Sequence, residues 1–275
     1  MDKHKLSILV FSCDAYSDLW EGFFNSMEYY WKDIPYECYL VNNKKQFDKK
    51  GVTVLNGGDG DWSARVRVTL ENLKTPYVMT FLDDYFICDK IDNEKIRDVL
   101  SYVESEKIDY YQLDITDKED YYKWVNYKKN YLYDIPKTRD YWVDTSIAIW
   151  KKDFFLELLG NEDYSAWKFE LDRNDDAKHP ERYKSKICVF DSRLLVSMCP
   201  MVIQGKYYPK SIKFMQKKGF NIHIGNRKVM SKKEVFMHEL KRYFSKIYFG
   251  RNFLKSIGRK LGFTFMSDLH NSKIN

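Results

Sequence analysis

The sequence predicts an α/β fold, a mostly parallel central sheet flanked by helices, followed by a basic, mostly helical C-terminal extension. Three observations carry this expectation. Over the first 115 residues, short, nearly unbroken apolar runs alternate with segments whose apolar residues recur every three or four positions. Strands that alternate with helices in this way are joined by right-handed crossovers and pair in parallel. Charge is also split along the chain: residues 206–275 hold 17 Lys and Arg against 3 Asp and Glu, and residues 1–205 hold 29 against 37. The overall charge of +6 therefore averages an acidic body, 1–205, and a strongly basic extension, 206–275, and such asymmetry suggests an anionic partner for the extension.

The elements follow in order. Residues 5–11 (KLSILVF) read as a strand buried on both faces. Residues 18–31 place Leu19, Phe23, Met27 and Tyr30 along one helical face. Strands follow at 36–41, closed by Asn42 and Asn43, and at 51–55, closed by the glycine-rich loop 56–60. That loop lacks the Lys and Ser/Thr of a P-loop. Asp61 is placed to cap a helix running to about Leu73, which Thr75 and Pro76 then break. Residues 77–82 (YVMTFL) form another buried strand that ends directly in Asp83 and Asp84. Asp92 caps a helix over 93–105, and a strand follows at 109–113. Residues 116–145, rich in Tyr, Lys and Asp, read as irregular. A strand at 146–150, helices at 151–159 and 163–171, and short strands at 187–190 and 200–204 complete the body.

Composition excludes several classes. A chain with 44% hydrophobic and 17% aromatic residues is not disordered, and 12 Gly with 6 Pro exclude a collagen-like or linker-rich chain. No run of eighteen apolar residues is present, so no membrane-spanning helix is expected. The apolar stretch 6–12 is short and lacks a small-residue cleavage site, so no signal peptide is read. The five cysteines are odd in number, widely spaced and free of CxxC pairs, which points to free buried thiols in a reducing, cytoplasmic compartment rather than a zinc site.

Three segments carry chemistry. Asp83 and Asp84 stand at the carboxyl end of a buried strand, where open α/β sheets bind ligands. Adjacent carboxylates repel unless a cation lies between them, and Mg2+ takes one or two carboxylates together with phosphate oxygens; a turn or a helix cap is the alternative use. Asp61, Trp62, Ser63, Ala64 and Arg65 open a helix, a position that favours anions, and Arg65 adds a bidentate phosphate donor. An ordinary capped helix with a surface arginine reads the same way. Glu170, in SAWKFE at 165–170, stands beside Trp167 and Phe169. Desolvation there would raise its pKa and suit it to general base work, against the alternative of an exposed helical glutamate.

Taken in order, KLSILVFSCDAY, DWSARVRVTLENLKTPYVMTFLDDYFI, TSIAIWKKDFFLELL and SAWKFE resemble bacterial glycosyltransferases of the GT-A fold, of the family-2-like kind found in capsule, O-antigen and other surface-polysaccharide clusters. The resemblance covers residues 5–205 and implies a Rossmann-like GT-A catalytic domain that uses a nucleotide-sugar donor. It implies that Ser12, Cys13 and Asp14 hold the base and ribose, and that Asp61, Trp62 and Arg65 border the nucleotide. Asp83 and Asp84 would bind metal, Mg2+ or Mn2+, and the diphosphate. Glu170 would deprotonate an acceptor hydroxyl, and Trp167 would shape the acceptor pocket. The implied reaction is an inverting hexosyl transfer to a glycan or lipid-linked glycan. Here the motif reads Asp-Asp-Tyr rather than Asp-x-Asp, so residue 85 offers no second metal carboxylate. His223, on a late strand or loop, could approach the metal as a C-terminal histidine does in some enzymes of this fold, but a structural histidine is the favoured reading.

In the extension, Phe236, Leu240, Tyr243, Phe244 and Ile247 recur at helical spacing, interleaved with Lys241, Arg242, Lys246, Arg251, Lys255, Arg259 and Lys260. A basic amphipathic helix with aromatic residues suits an anionic bilayer interface. Residues 232–262 are therefore expected to hold the protein peripherally on the inner face of the cell membrane; a helix packed on the body with a solvated basic face is the alternative. Other functions fit less well. A sugar-phosphate nucleotidyltransferase needs a glycine-rich loop after the first strand, where this chain has Ser-Cys-Asp-Ala-Tyr. A haloacid-dehalogenase-type phosphatase needs a DxD there, and only Asp14 is present. A nucleic-acid-binding module using the basic tail would lack an accompanying motif and would be opposed by the acidic body, so no nucleic acid is expected.

Overall fold

The computed structural model describes residues 4–114 and 121–246. The chain runs β1 (Leu6–Phe11), α1 (Ser17–Tyr30), β2 (Glu37–Asn42), β3 (Val52–Asn56), α2 (Trp62–Asn72), β4 (Tyr77–Leu82), β5 (Tyr85–Ile87) and α3 (Asn93–Glu106). It continues with β6 (Tyr110–Gln112), β7 (Leu132–Asp134), β8 (Ala148–Lys151), α4 (Lys152–Leu159), α5 (Ala166–Asp176), β9 (Cys188–Asp191) and β10 (Met198–Pro200). The expected α/β architecture is present. Eight strands form one sheet in the order β3-β2-β1-β4-β8-β6-β9-β7, flanked by helices. β1 to β4 are mutually parallel, and β6 and β9 are parallel to each other.

Two strands break the expectation of parallel crossovers. β8 enters between β4 and β6 antiparallel to both, and β7 closes the far edge antiparallel to β9. β7 lies in the stretch read as irregular. It is three residues long, and its inward Leu132 is its only fully buried position, too short for a period-two pattern to emerge. A small second sheet pairs β5 with β10, matching Cys199 with Phe86, and so ties the chain after Asp84 to residues 198–200.

Local causes are visible at the helix ends. Asp92 Oδ1 accepts the amides of Glu94 at 2.9 Å and Lys95 at 3.4 Å, the cap its position predicted. Asp61 occupies the corresponding position of α2, but its side chain makes no capping bond; only its carbonyl takes part, accepting from the Arg65 amide at 3.3 Å. α5 is capped by Ser165 and runs to Asp176, five residues beyond the expected end. There Arg173 pairs with Asp176 at 2.9 Å and lies over the Phe169 ring at 4.7 Å. A buried aromatic cluster joins the sheet to α2, α4 and α5: Trp150 stacks on Phe155 at 4.4 Å and meets Tyr110 at 4.3 Å.

The chain divides into two compact units, Met1–Pro200 with Phe220–His223, and Met201–Gly219 with Ile224–Asn275. The second holds β11 (Val202–Ile203), β12 (Lys206–Tyr207), α6 (Pro209–Lys217) and α7 (Lys232–Lys246). α7 opens with a capping box: the Glu234 amide donates to Ser231 Oγ at 3.3 Å, and the Ser231 amide donates to the Glu234 carboxylate at 2.8 Å. Of the basic helix expected over 232–262, residues 247–262 lie outside the described residues. No helix among the described residues is long and apolar enough to cross a membrane. None of the five cysteines is in a disulfide; Cys38, Cys188 and Cys199 are buried, as expected, and Cys13 and Cys88 are half-buried.

Candidate active site

β1 to β4, β6 and β9 point the same way, so their carboxyl ends meet at one edge of the sheet, where open α/β folds place ligands. Asp83 is at the centre of that edge. It is 4% exposed and accepts a short hydrogen bond from Ser12 Oγ. Ser12 Oγ in turn accepts from the buried Trp20 indole at 2.6 Å. The Asp83 amide donates to the Phe11 carbonyl at 3.4 Å, which locks the ends of β1 and β4 together. The half-buried Asp84 follows. Burial raises the Cys13 thiol pKa, the Ala15 amide lowers it, and the charges of Asp83 and Arg65 then act on it in opposite senses. Cys13, Asp83 and Arg65 thus share one electrostatic neighbourhood.

The loops after β1, β2 and β3 are clipped into one wall. The Asp14 amide donates to Asn43 Oδ1 at 3.1 Å, and Asn43 Nδ2 donates to the Gly58 carbonyl at 3.3 Å. The Asp14 carboxylate accepts the amides of Lys44 and Lys45, each at 3.1 Å. Partial desolvation pulls the Asp14 carboxyl upward, but the Lys45 and Lys44 amides outweigh it and hold the group below its ordinary range.

Gly57 and Gly58 are glycine for two separate reasons. Gly58 has φ +85°, in the left-handed region. A Cβ on Gly57 would stand 2.7 Å from Arg65 Cβ and 2.9 Å from its Cα, so the loop can lie this close only without one. Arg65, expected at a nucleotide border, is held here. It is 8% exposed, and one guanidinium nitrogen donates to the Gly60 carbonyl at 2.5 Å. Asp61 is exposed at the start of the same helix. Trp62 belongs to the core instead, 5.7 Å from Phe11 and 5.3 Å from Phe169 between ring centroids, so its contribution to this wall is support from beneath.

α2 also positions the opposite side of the edge. Ser63 Oγ donates to the Glu162 carbonyl at 2.9 Å and accepts the Tyr164 amide at 2.8 Å. Arg67 donates to the carbonyls of Gly160 at 2.7 Å and Glu162 at 2.6 Å. These bonds fix the segment that launches α5, and with it Glu170. One carboxylate oxygen of Glu170, Oε1, accepts the Thr145 amide at 3.1 Å and the Thr145 hydroxyl at 2.5 Å. Because β8 is antiparallel to β4, with Ala148 opposite Thr80, residues 144–146 lie at the same end as Asp83 and Asp84. Burial raises the Glu170 pKa, the neighbouring Asp144 charge raises it further, and the two Thr145 donors oppose both. Trp167, one helical turn earlier, is 65% exposed.

The sequence reading singles out Asp83, Arg65 and Glu170 but misses Asp144, Thr145, Ser146, Trp20 and Asn43. Their signal is faint: a polar triplet immediately before a strand, a helix tryptophan that looks like core, and a turn-prone asparagine. Among the described residues, no cluster of three or more His, Cys, Asp or Glu side chains could hold a metal. Asp83 and Asp84 offer two adjacent hard oxygen ligands, a set that fits a cation completing its shell with substrate phosphates.

Among solved structures, the chain is similar to S. aureus TarS residues 1–349, with TM-score 0.36 and 14% identity over 54% of this chain and 47% of that one. The same TarS segment in complex with UDP-GlcNAc matches with the same score and identity over 45% of its length. A candidate nucleotide-diphospho-sugar transferase from Desulfovibrio desulfuricans G20 matches with TM-score 0.42 and 11% identity, over 69% of this chain and 80% of that one. The chain spans about half the length of the TarS segment it matches. No protein-family model matches the chain, and no curated protein matches it.

Proposed function

We propose that this protein is an inverting, GT-A-type glycosyltransferase that moves a hexosyl group from a nucleotide-sugar donor to a hydroxyl of a lipid-linked glycan in bacterial surface-polysaccharide synthesis. One observation carries the reading. A single sheet edge holds a buried carboxylate beside a second one, a buried arginine near a helix start, and a partly desolvated glutamate tied to the segment leading into β8. Asp83 and Asp84 would hold Mg2+ or Mn2+ with the donor diphosphate, and such a cation would supply charge neutralisation on the leaving group. Arg65 would meet the same phosphates through its guanidinium fork. The loops carrying Ser12, Cys13 and Asp14, with Asp61 at the α2 start, would enclose the base and ribose. Glu170 takes the acceptor proton as the hydroxyl attacks the anomeric carbon from the face opposite the diphosphate, and that carbon inverts. Trp167 gives the acceptor sugar an apolar ring to lie on. The test is a panel of nucleotide sugars offered with a glycan acceptor. Nucleoside diphosphate is released and the new linkage has the opposite anomeric configuration to the donor; a retained configuration removes Glu170 from its role.

The second unit supplies the membrane contact in this reading. Glu234 and Glu239 are paired with Lys206 and Lys210. Lys213, Lys217, Lys228, Lys232 and Lys233 of the same unit are exposed. Phe236 and Tyr243, seven positions apart on α7, are 62% and 63% exposed. Exposed cations and exposed rings within one unit suit an anionic lipid surface on the cytoplasmic side. Removing residues 231–275 is expected to abolish pelleting with phosphatidylglycerol vesicles, and unchanged pelleting rules the membrane role out.

A further inference from the structure

We infer that Thr145 is the positioning residue of the base: its amide and hydroxyl fix Glu170 Oε1 and so leave Oε2 as the atom that receives the acceptor proton. The inference rests on Glu170 being the base. Its ground is the asymmetry of the carboxylate. Both donors that reach Glu170 come from one buried residue and land on one oxygen, at 3.1 and 2.5 Å. Oε2 accepts no hydrogen bond from a described residue, and it is not among the buried polar atoms sealed from solvent without a partner.

Thr145 is itself held from both sides. The Ser146 amide donates to Asp144 Oδ1 at 2.9 Å, and the Ser146 hydroxyl donates to the same oxygen. Tyr110 on β6 reaches that oxygen at 3.3 Å, and Gln112 Nε2 donates to Ser146 Oγ at 3.1 Å. The Leu113 amide donates to the Ile147 carbonyl at 2.9 Å. The polar triplet is therefore part of the sheet edge, and the glutamate side chain is anchored to it rather than the reverse.

The consequence for the reaction is directional. The acceptor O–H proton passes to Glu170 Oε2, the oxygen electron pair forms the bond to the anomeric carbon, and the bond from that carbon to the diphosphate oxygen breaks. A base that pivots about its own side chain would have to be caught in the right orientation; one pinned through Oε1 presents Oε2 in a single direction. Asp144, from the loop leading into β8, is the charged group that acts on Glu170 among the described residues. It keeps the base proton-hungry, and the two Thr145 donors keep it ionisable.

The test compares Thr145→Val, which keeps the shape and the amide but loses the hydroxyl, with Thr145→Ser, which keeps both donors. Thr145→Val is expected to lower kcat about 10- to 100-fold with donor KM unchanged, while Thr145→Ser stays within about threefold of wild type. The second readout needs no turnover: in protein labelled with 13C at glutamate Cδ, the Glu170 resonance titrates at higher pH in Thr145→Val and at lower pH in Asp144→Asn. Thr145→Ala replaces valine if that variant does not fold. Wild-type kcat and wild-type titration in Thr145→Val overturn the inference. Full transfer by Glu170→Gln removes the base reading instead, and a shifted titration in Thr145→Val then still reports the pin.

Discussion

Glu170→Gln should lose transfer by about 10^2- to 10^4-fold, the range a general base contributes, while binding the donor as wild type does. Glutamine preserves the packing and the Thr145 contacts, because its amide oxygen can accept both the Thr145 amide and hydroxyl. It removes only the ability to take a proton. Glu170 is far from Arg65 in sequence and linked to it through α2, so the donor wall has no reason to move. Isothermal titration with a nucleotide sugar and a transfer assay separate the two effects; a parallel loss of both would make Glu170 a structural residue. The pH behaviour follows from the same surroundings. Since the folded protein raises the Glu170 pKa, activity should fall with acid at a pH above the ordinary glutamate range. Stability moves the other way. In the window between the unfolded and folded values the native state binds more protons, so ionising Glu170 costs stability as pH rises through that window. Glu170→Gln escapes this cost and should unfold at a higher temperature than wild type at neutral pH.

Parts of this design are legible in the amino-acid sequence alone, and the reason differs from element to element. β1 and β4 are continuous apolar runs because both faces of a central parallel strand are covered, and such runs cannot be mistaken for an amphipathic surface strand. The pair at 83 and 84 is visible because two adjacent carboxylates end a buried strand, although the turn they form between β4 and β5 is a structural use open to any such pair. The direction of β8 is not visible. Its four residues read equally well in either orientation, and the antiparallel insertion is what brings Thr145 to the end of β4. The two tryptophans show the same limit. Trp62 and Trp167 each stand in the first turn of a helix, one and two positions after a polar cap residue, yet one is in an aromatic cluster with Phe11 and Phe169 and the other is in solvent. What separates them is which helix face meets α4 and the sheet, and that is decided by packing between elements distant in sequence. Arg65 is the converse case. The sequence allows a surface arginine, and the close approach of Gly57 is what covers it.

Asp83→Asn should abolish ligand-induced stabilisation without unfolding the apo protein. Asparagine matches the buried carboxylate in size, and its carbonyl oxygen can still accept from Ser12 Oγ, so the β1–β4 clasp survives. The charge that would hold a divalent cation against a diphosphate does not. At about one hundred times Kd, a nucleoside diphosphate with Mn2+ stabilises a folded protein by about 2.7 kcal/mol. For chains of this general size each kcal/mol is about 2–4 °C, so the wild-type melting temperature should rise by about 5–10 °C and that of Asp83→Asn hardly at all. Ser12→Ala makes the comparison decisive because its effect should be inverted. Removing the hydroxyl leaves the buried Trp20 indole without its acceptor at 2.6 Å, a loss of about 1–3 kcal/mol in the apo protein. The carboxylate remains, so most of the ligand-induced rise should persist. If Asp83 served only to receive the Ser12 hydrogen bond, Asp83→Asn, which keeps that acceptor, would leave both the apo stability and the ligand response at their wild-type values. A full thermal response to nucleoside diphosphate and Mn2+ in Asp83→Asn would therefore assign the buried carboxylate to the fold and take the diphosphate site away from the end of β4.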